Sequence, residues 1–262
     1  ARLRPATRFD LLRTAAVIFF GVLLRFRSVE SLRMLIRGDF GALLGIARAP
    51  EIRTVRRKLD EIGSEACGFD GPAFVRDLAR TLLRVAAAPE GIYFFDDHFQ
   101  PYYGKAPLAK GWDAKRRLAQ PGIEDVYVHD LKGRALLFVP LDAPTSLSRA
   151  IPLALRELHQ VTATAPSLAV FDRGGFSRGL FQALVHPADG SRRIDFLTYL
   201  AARGERRELP LSAFHKAVLK YGGRTREYEV AESTLAIKGF ERPLRLIVLL
   251  DRKKGRQIPI LT

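Results

Sequence analysis

Aspartates follow two short apolar segments at the points where these segments end. Ile92–Phe95 is followed by Asp96 and Asp97, and Leu168–Phe171 is followed by Asp172. Both segments have the length and composition of buried β-strands, and a carboxylate there is costly to bury unless a positive group binds it. Carboxylates on neighbouring strands can hold Mg²⁺ through oxygen ligands and leave positions for water and a phosphate. The alternative is that each aspartate only forms a turn.

The elements around these aspartates predict an α/β fold. Val126–His129 and Ala135–Val139 read as a hairpin, Ile151–Val161 and Ser177–Val185 as helices, and Ile194–Leu200 as a further strand. The order is strand, strand, strand, helix, strand, helix, strand. The first three strands are expected to form an antiparallel meander. The helix after them supplies the crossover that makes the two aspartate-bearing strands parallel neighbours.

The chain divides into three parts by pattern. Residues 1–88 carry apolar side chains at helical spacing, and residues 89–208 carry the alternating strands and helices. Residues 209–262 carry mostly β signals. The expected boundaries are therefore at residues 88 and 208.

The charge balance sets limits on the partner. The 262 residues include 43 Lys and Arg against 28 Asp and Glu, a net charge of +15, which favours a polyanion such as nucleic acid. A single cysteine, Cys67, permits no internal disulfide and is typical of a reducing cytoplasm. The longest apolar run, Ala15–Leu24, is too short to span a bilayer, and no signal peptide precedes it. We therefore expect a cytoplasmic protein without a membrane partner.

Several segments resemble one family. Tyr93–Lys105, followed by Lys110–Trp112, resembles the first catalytic block of the DDE transposases of bacterial insertion sequences. Phe171–Ser177 resembles their second block, and Ile194–Tyr199 the strand that follows it. Their helical amino-terminal region is also similar to three segments of this chain, Ser28–Glu30, Leu43–Ile46 and Pro50–Leu59.

The resemblance implies a ribonuclease H-like core, a mixed sheet with flanking helices, preceded by a small all-α domain and followed by a β-rich insertion. In that family three acids hold two Mg²⁺ or Mn²⁺ ions, which promote cleavage and transfer of a phosphodiester. Asp96 corresponds to the first acid and Asp172 to the second. Asp97 is the alternative first acid, because strand alternation sends Asp96 and Asp97 to opposite faces and only one of them can join the site.

The third acid of the family has no counterpart here. It is a glutamate on a helix that follows the β-rich insertion, and residues 209–262 resemble that insertion without a helix after it. The nearest similar pattern begins at Tyr221, but Tyr228 occupies the position of the glutamate. Glu227 and Glu229, beside it, are interpreted as coincidence. The sequence therefore assigns no third catalytic glutamate, and we expect this chain alone not to cut DNA at an appreciable rate.

A helix and a loop provide candidate DNA contacts. The helix after Pro50 carries a basic face that resembles part of a helix-turn-helix, with Arg53, Arg56, Arg57 and Lys58. The loop past the first aspartates carries residues suited to grip the DNA backbone, Tyr102, Tyr103 and Lys105. The alternatives are a solvated basic face and a packed aromatic loop.

Taken together, the sequence predicts a transposase that performs metal-dependent DNA cleavage and strand transfer at insertion-sequence ends. Its expected partners are the DNA ends, the target DNA and a second copy of the chain on DNA, in a bacterial cytoplasm close to the nucleoid. Two alternatives stay open. One is an inactive remnant that only binds DNA or its relatives, and the other is a structure-selective nuclease on the same fold.

Overall fold

A computed structural model describes residues 11–26, 28–141, 143–188, 190–200, 208–221, 223–240 and 243–262. The chain divides into two compact units, residues 1–71 and residues 72–262. Within the described part, no helix is both long and apolar enough to cross a membrane.

The first unit is helical. It contains helix α1 (Leu11–Leu23), a 3-10 turn (Val29–Met34), α2 (Arg37–Leu43) and α3 (Ile52–Gly63). Its core is small, with Val17, Phe40 and Val55 buried among neighbouring apolar side chains. Many apolar side chains of α1 are exposed, including Leu12, at 77 %, and Phe19, at 60 %.

Helix α4 (Gly71–Val85) packs on helix α5 (Leu147–Val161) of the second unit. Arg76 forms an ion pair of 2.7 Å with Glu157, and the Arg80 guanidinium donates two hydrogen bonds, of 3.1 and 2.8 Å, to the Gln160 carbonyl. The compact units divide at residue 71, so α4, which precedes the change of pattern at residue 88, belongs to the second unit. Helical spacing predicts α4 correctly, but spacing alone does not say which unit the apolar side of a helix contacts.

Ten strands among the described residues form one mixed sheet, in the order β2-β3-β1-β5-β6-β10-β9-β8-β7, with β4 paired to β3. Their bounds are Ile92–Pro101 (β1), Lys110–Asp113 (β2), Leu118–Asp130 (β3), Ala135–Leu141 (β4), Leu168–Phe171 (β5), Asp195–Tyr199 (β6), His215–Tyr221 (β7), Arg224–Leu235 (β8), Leu244–Asp251 (β9) and Arg256–Leu261 (β10). Helix α5 lies between β4 and β5 in the chain, and α6 (Arg178–Val185) between β5 and β6.

The strands that carry the candidate aspartates are parallel neighbours, as predicted. β1 pairs with β5 in parallel, with Phe95 opposite Phe171, and β5 pairs with β6 in parallel. β3 lies antiparallel to both β1 and β4, which gives the expected meander. The fold is thus a mixed α/β sheet with helices, as the element order predicts.

The carboxy-terminal strands extend this same sheet. β7 to β10 form antiparallel pairs, and Leu261 of β10 pairs with Thr198 of β6. The β content of residues 209–262 is predicted correctly, whereas β2 and β7 have no clear counterpart in the sequence pattern. Pairing between β6 and β10 joins residues far apart in the chain, which local patterns do not reveal.

Stacked aromatic rings fill the core behind the second aspartate. Phe171 lies beside Phe181 and Phe196, and the Phe181 and Phe196 rings are stacked with centroids 4.3 Å apart. All three side chains are buried. This packing fixes the end of β5, from which Asp172 emerges.

Gly175 is expected to be intolerant of any side chain. A Cβ there would lie 2.3 Å from the buried Phe171 ring, which cannot move without disturbing the stacked aromatics. Gly175→Ala should lower the free energy of unfolding by about 1–3 kcal/mol, the usual cost of overpacking. Gly179→Ala is the control, because a Cβ there has open space, with Ser177 Oγ nearest at 3.8 Å, and alanine favours the helix. Urea titration of both variants measures this, and equal stabilities would contradict the expectation.

Candidate functional site

Asp97 lies on the core side of β1. Along this strand Tyr93 and Phe95 are buried, Asp97 is half-buried, and the alternate residues Phe94 and Asp96 are exposed. Because side chains alternate between the two faces of a strand, Asp97 shares the face of the apolar core and Asp96 points away from it. The structure therefore places the alternative first acid, Asp97, on the covered face.

Asp172 is held in a tight turn directly after β5. Its Oδ1 accepts a hydrogen bond of 2.7 Å from the Gly174 N–H and caps the 3-10 turn Arg173–Gly175. The Thr198 hydroxyl, fully buried on β6, donates a bond of 2.9 Å to the Asp172 carbonyl. Two neighbouring strands therefore fix the backbone of Asp172, while its carboxylate stays exposed.

The charge of Asp172 acts on the Asp97 carboxyl. Burial raises the pKa of Asp97, and the negative charges of Asp172 and then Asp96 raise that pKa further. Such repulsion is what a bound cation relieves. Asp97 lies within β1, two residues beyond the last parallel pair, Phe95 and Phe171, and Asp172 directly follows β5 on the neighbouring strand. The expectation that β1 ends before its aspartates is therefore wrong, since the strand continues to Pro101.

Glu124 is a neighbour of Asp97 across the β1–β3 pair and is not among the residues predicted from the sequence. It lies on β3, is only 9 % exposed, and accepts a hydrogen bond of 2.7 Å from the Thr145 N–H. Burial raises its pKa, and the negative charge of Asp97 raises that pKa further. Asp97 pairs with Val126, so Glu124 is the diagonal neighbour on the same face.

A signal for Glu124 exists in the sequence. Glu124, Val126 and Val128 alternate along β3, so a carboxylate occupies the buried phase of an apolar strand. The expected strand starts at Val126, two residues too late to include it. A polar residue in the buried phase of a strand is an indication of a functional or buried polar site.

The carboxylates offer only oxygen donors, which suit a hard divalent cation such as Mg²⁺ or Mn²⁺. Asp97 and Asp172 are the two that would hold the ion. No group of three or more histidine, cysteine, aspartate or glutamate side chains in the described ranges has the spacing of a complete metal site. The donor set therefore fits the cation in kind, with one carboxylate on β1 and the other directly after β5.

The raised pKa values make a prediction about stability. Protonated Asp97 favours the folded state, so its contribution is present in acid and is lost as pH rises through the raised pKa. Asp97→Asn has no carboxyl to ionise, so it should be more stable than the wild type at pH 7. A gain near 1 kcal/mol in the free energy of unfolding would raise the unfolding midpoint by about 2–4 °C.

This gain should shrink as the pH falls below the raised pKa of Asp97, where the wild-type carboxyl is also protonated. Asp96→Asn removes the same charge from the exposed face and is the matched control. Thermal unfolding without divalent cations at several pH values measures both variants. A gain that is independent of pH, or equal for both positions, would contradict this interpretation.

The glutamates of β8 are engaged elsewhere. Glu229 pairs with Arg252, and Glu232 with Arg245 at 2.7 Å, and these hydrogen bonds lower the pKa of each glutamate. Glu227 is exposed and lies 3.9 Å from Lys216. These contacts are cross-strand ion pairs on the extension of the sheet.

The aromatic loop is partly packed on itself. The Tyr102 hydroxyl accepts a hydrogen bond of 3.3 Å from the Ala106 N–H, and its ring covers Gly104. Tyr103 is 67 % exposed, with the Arg116 guanidinium 5.2 Å from its ring centroid, and Lys105 is exposed. Tyr103 and Lys105 are therefore accessible to a ligand, whereas Tyr102 shapes the loop.

The basic face of α3 is smaller than expected. Lys58 is 5 % exposed and its Nζ lies 2.6 Å from Glu61, so it does not join the exposed face. Its alkyl stem packs inward because position 58 falls on the same helical side as the buried Val55. Arg56 pairs with Glu30, and Arg57 lies 3.9 Å from Glu61. Arg53 is exposed without a carboxylate partner among the described residues.

The fold and the site define an α/β protein with carboxylates on two neighbouring parallel strands, one within β1 and one directly after β5. The chain belongs to the family described as Transposase protein, since the family model Transposase_29 matches residues 5–199. No protein among those with curated descriptions matches it.

Solved transposase structures resemble the chain. The piggyBac transposase in a synaptic complex with hairpin DNA has a TM-score of 0.50 and 13 % identity, covering 98 % of this chain and 52 % of that chain. The Drosophila P element transposase strand transfer complex has a TM-score of 0.37 and 15 % identity, covering 75 % and 42 %. The chain therefore spans about half the length of the piggyBac protein, and at such identities the likeness concerns the fold alone.

Proposed function

We propose that this chain is the DNA-cleaving part of a DDE-type transposase and acts at the ends of an insertion sequence. The observation that carries the proposal is the location of Asp97, two residues beyond the last parallel pair of β1 and β5, and of Asp172, directly after β5. Membership of a transposase family and a net charge of +15 support DNA as the substrate.

The strand arrangement supports a ribonuclease H-like core. The central order β4-β3-β1-β5-β6 combines an antiparallel meander with two parallel strands reached by helical crossovers. In this arrangement the first and second acids come from β1 and from the residue after β5. Asp97 is the first acid that we propose, in place of Asp96, because it lies on the covered face beside Asp172.

The residues around the pair hold it in position. Thr198 and Gly174 fix Asp172, and Glu124, itself fixed by the Thr145 N–H, supports Asp97. Asp97 and Asp172 would hold Mg²⁺ or Mn²⁺, which in such sites activates a water or a 3′-hydroxyl and stabilises the leaving oxygen of a phosphodiester. The positions of the carboxylates are therefore set before a cation binds.

Binding of Mn²⁺ tests the proposal. Asp172→Asn keeps an oxygen acceptor for the Gly174 N–H and removes the charge, so the turn is retained. We expect this variant to bind Mn²⁺ at least ten times more weakly than the wild type, as measured by electron paramagnetic resonance of the free ion.

Asp195→Asn is the matched control, because Asp195 is an exposed strand aspartate paired with Arg193 at 2.8 Å. It should bind Mn²⁺ like the wild type. Mn²⁺ binding that is the same in all three proteins would overturn the assignment of the metal site. DNA binding without any site for Mn²⁺ would then favour a remnant that only binds DNA.

A further inference from the structure

A large groove opens beside Asp172 within the second unit. Its volume is about 1550 Å³. Residues 172–178, between β5 and α6, line one side, and residues of β8, β9 and β10 line the other. Pockets for drug-sized ligands have about 300–1000 Å³, so this groove suits a longer ligand.

The groove carries an excess of positive charge. Its lining includes four basic side chains against two acidic ones, Arg173, Arg178, Lys238 and Arg256 against Asp172 and Glu208. Across the described part of the chain, no carboxylate pairs with Arg173, Arg178 or Lys238, whereas Arg256 lies 3.6 Å from Asp251. Unpaired cations along a groove favour a ligand with several negative charges.

An aromatic ring lies among these cations. Tyr199, at the end of β6, lines the groove and is 45 % exposed. The Arg173 guanidinium lies 5.9 Å from its ring centroid, a distance that allows a cation–π interaction and keeps the ring oriented. A basic groove with an accessible aromatic ring is the usual arrangement for binding unpaired nucleotides, whose bases stack on the ring.

We propose that this groove binds a single DNA strand of a few nucleotides, with its phosphates on Arg178 and Lys238 and a base against Tyr199. The proposal rests on the proposed function, which supplies DNA as the ligand. Arg173 follows Asp172 directly, and both line the groove, so a strand in the groove would lie beside Asp172. A single strand is favoured over duplex because both faces of a paired base are covered by its neighbours in the stack.

Fluorescence anisotropy with a labelled ten-nucleotide oligothymidine, and with a duplex of equal length, tests the groove. Arg178→Gln combined with Lys238→Gln should weaken binding of the single strand at least tenfold. Lys253→Gln combined with Lys254→Gln removes the same charge from the exposed turn between β9 and β10, outside the groove, and should weaken it less than threefold. Equal losses in the two double variants would overturn the proposal.

The aromatic contribution is tested separately. Tyr199→Leu should weaken binding of the single strand about tenfold and that of the duplex less than twofold, and Tyr199→Phe should bind like the wild type. Because the side chain is half exposed, these variants should fold, which thermal unfolding checks. A loss that is equal for duplex and single strand would overturn the proposal.

The metal site is read out independently. Mn²⁺ binding by Asp172→Asn reports on the metal site, whereas binding of the single strand by the Arg178→Gln, Lys238→Gln variant, in buffer without divalent cations, reports on the groove. If Asp172→Asn keeps Mn²⁺ but the groove variants still lose the single strand, the proposed metal site fails and the groove stands. The reverse result overturns the groove and leaves the metal site intact.

Discussion

Replacing Asp97 with asparagine is expected to weaken Mn²⁺ binding about 100-fold, whereas replacing Asp96 should change it less than twofold. The reason lies in the alternation of β1, which places Asp97 on the face of Phe95 and beside Asp172, with Asp96 exposed on the opposite face. Asparagine keeps the shape of the side chain and removes its negative charge. The difference between the variants therefore reports on the charge alone.

Both variants lose one negative charge at adjacent positions, so general attraction of Mn²⁺ to the surface is matched between them. Titration of the free ion by electron paramagnetic resonance gives the two dissociation constants. If Asp96→Asn weakens Mn²⁺ binding and Asp97→Asn does not, Asp96 is the first acid. Equal small losses would mean that β1 carries no ligand.

The choice between these two aspartates shows what the sequence can and cannot decide. Ile92–Phe95 is apolar at every position, so its alternation is hidden, and Asp96 stands first after the apolar run. In the structure Phe94 is 37 % exposed while Tyr93 and Phe95 are buried. Which side chains of β1 face the core can therefore be decided only when the covered face of the sheet is known.

Supporting residues are harder to predict than the aspartates themselves. Asp172 follows a clear apolar strand and precedes glycines, and its turn could be read from the sequence. Glu124 reaches Asp97 through antiparallel pairing of β3 with β1, and Thr198 reaches Asp172 from β6. Such contacts depend on the register between strands distant in the chain, which local propensities do not specify.

The sequence alone also does not show which basic side chains of a helix are exposed, because that depends on how the helix packs. Four consecutive or near-consecutive basic residues suggest one basic face on α3, but a helix turns by about 100° per residue, so its cations cannot all share one direction. Lys58 is the one that faces inward and pairs with Glu61. The exposed basic side chains of α3, chiefly Arg53 and Arg57, are the ones that can contact a polyanion.

DNA binding by the chain is expected to depend steeply on salt. Each phosphate neutralised on duplex DNA contributes about 0.9 to the slope of log affinity against log salt concentration. If six of the 43 basic residues contact phosphates, affinity should fall roughly 1000-fold between 50 and 200 mM salt. Titration of a labelled duplex by anisotropy at these two concentrations measures the fall, and an affinity that is insensitive to salt would contradict it.

Helix α3 of the first unit is expected to make part of these contacts. Arg53→Ala combined with Arg57→Ala should lower the salt slope by about 1.8, since two phosphate contacts are lost. Lys253→Ala combined with Lys254→Ala removes the same charge from an exposed turn and is the matched control. Arg252 is left unchanged because it pairs with Glu229. Its replacement would remove a positive charge and also leave the negative charge of Glu229 unpaired. If the slope falls equally in both variants, the attraction is general to the basic surface and α3 has no special share in it.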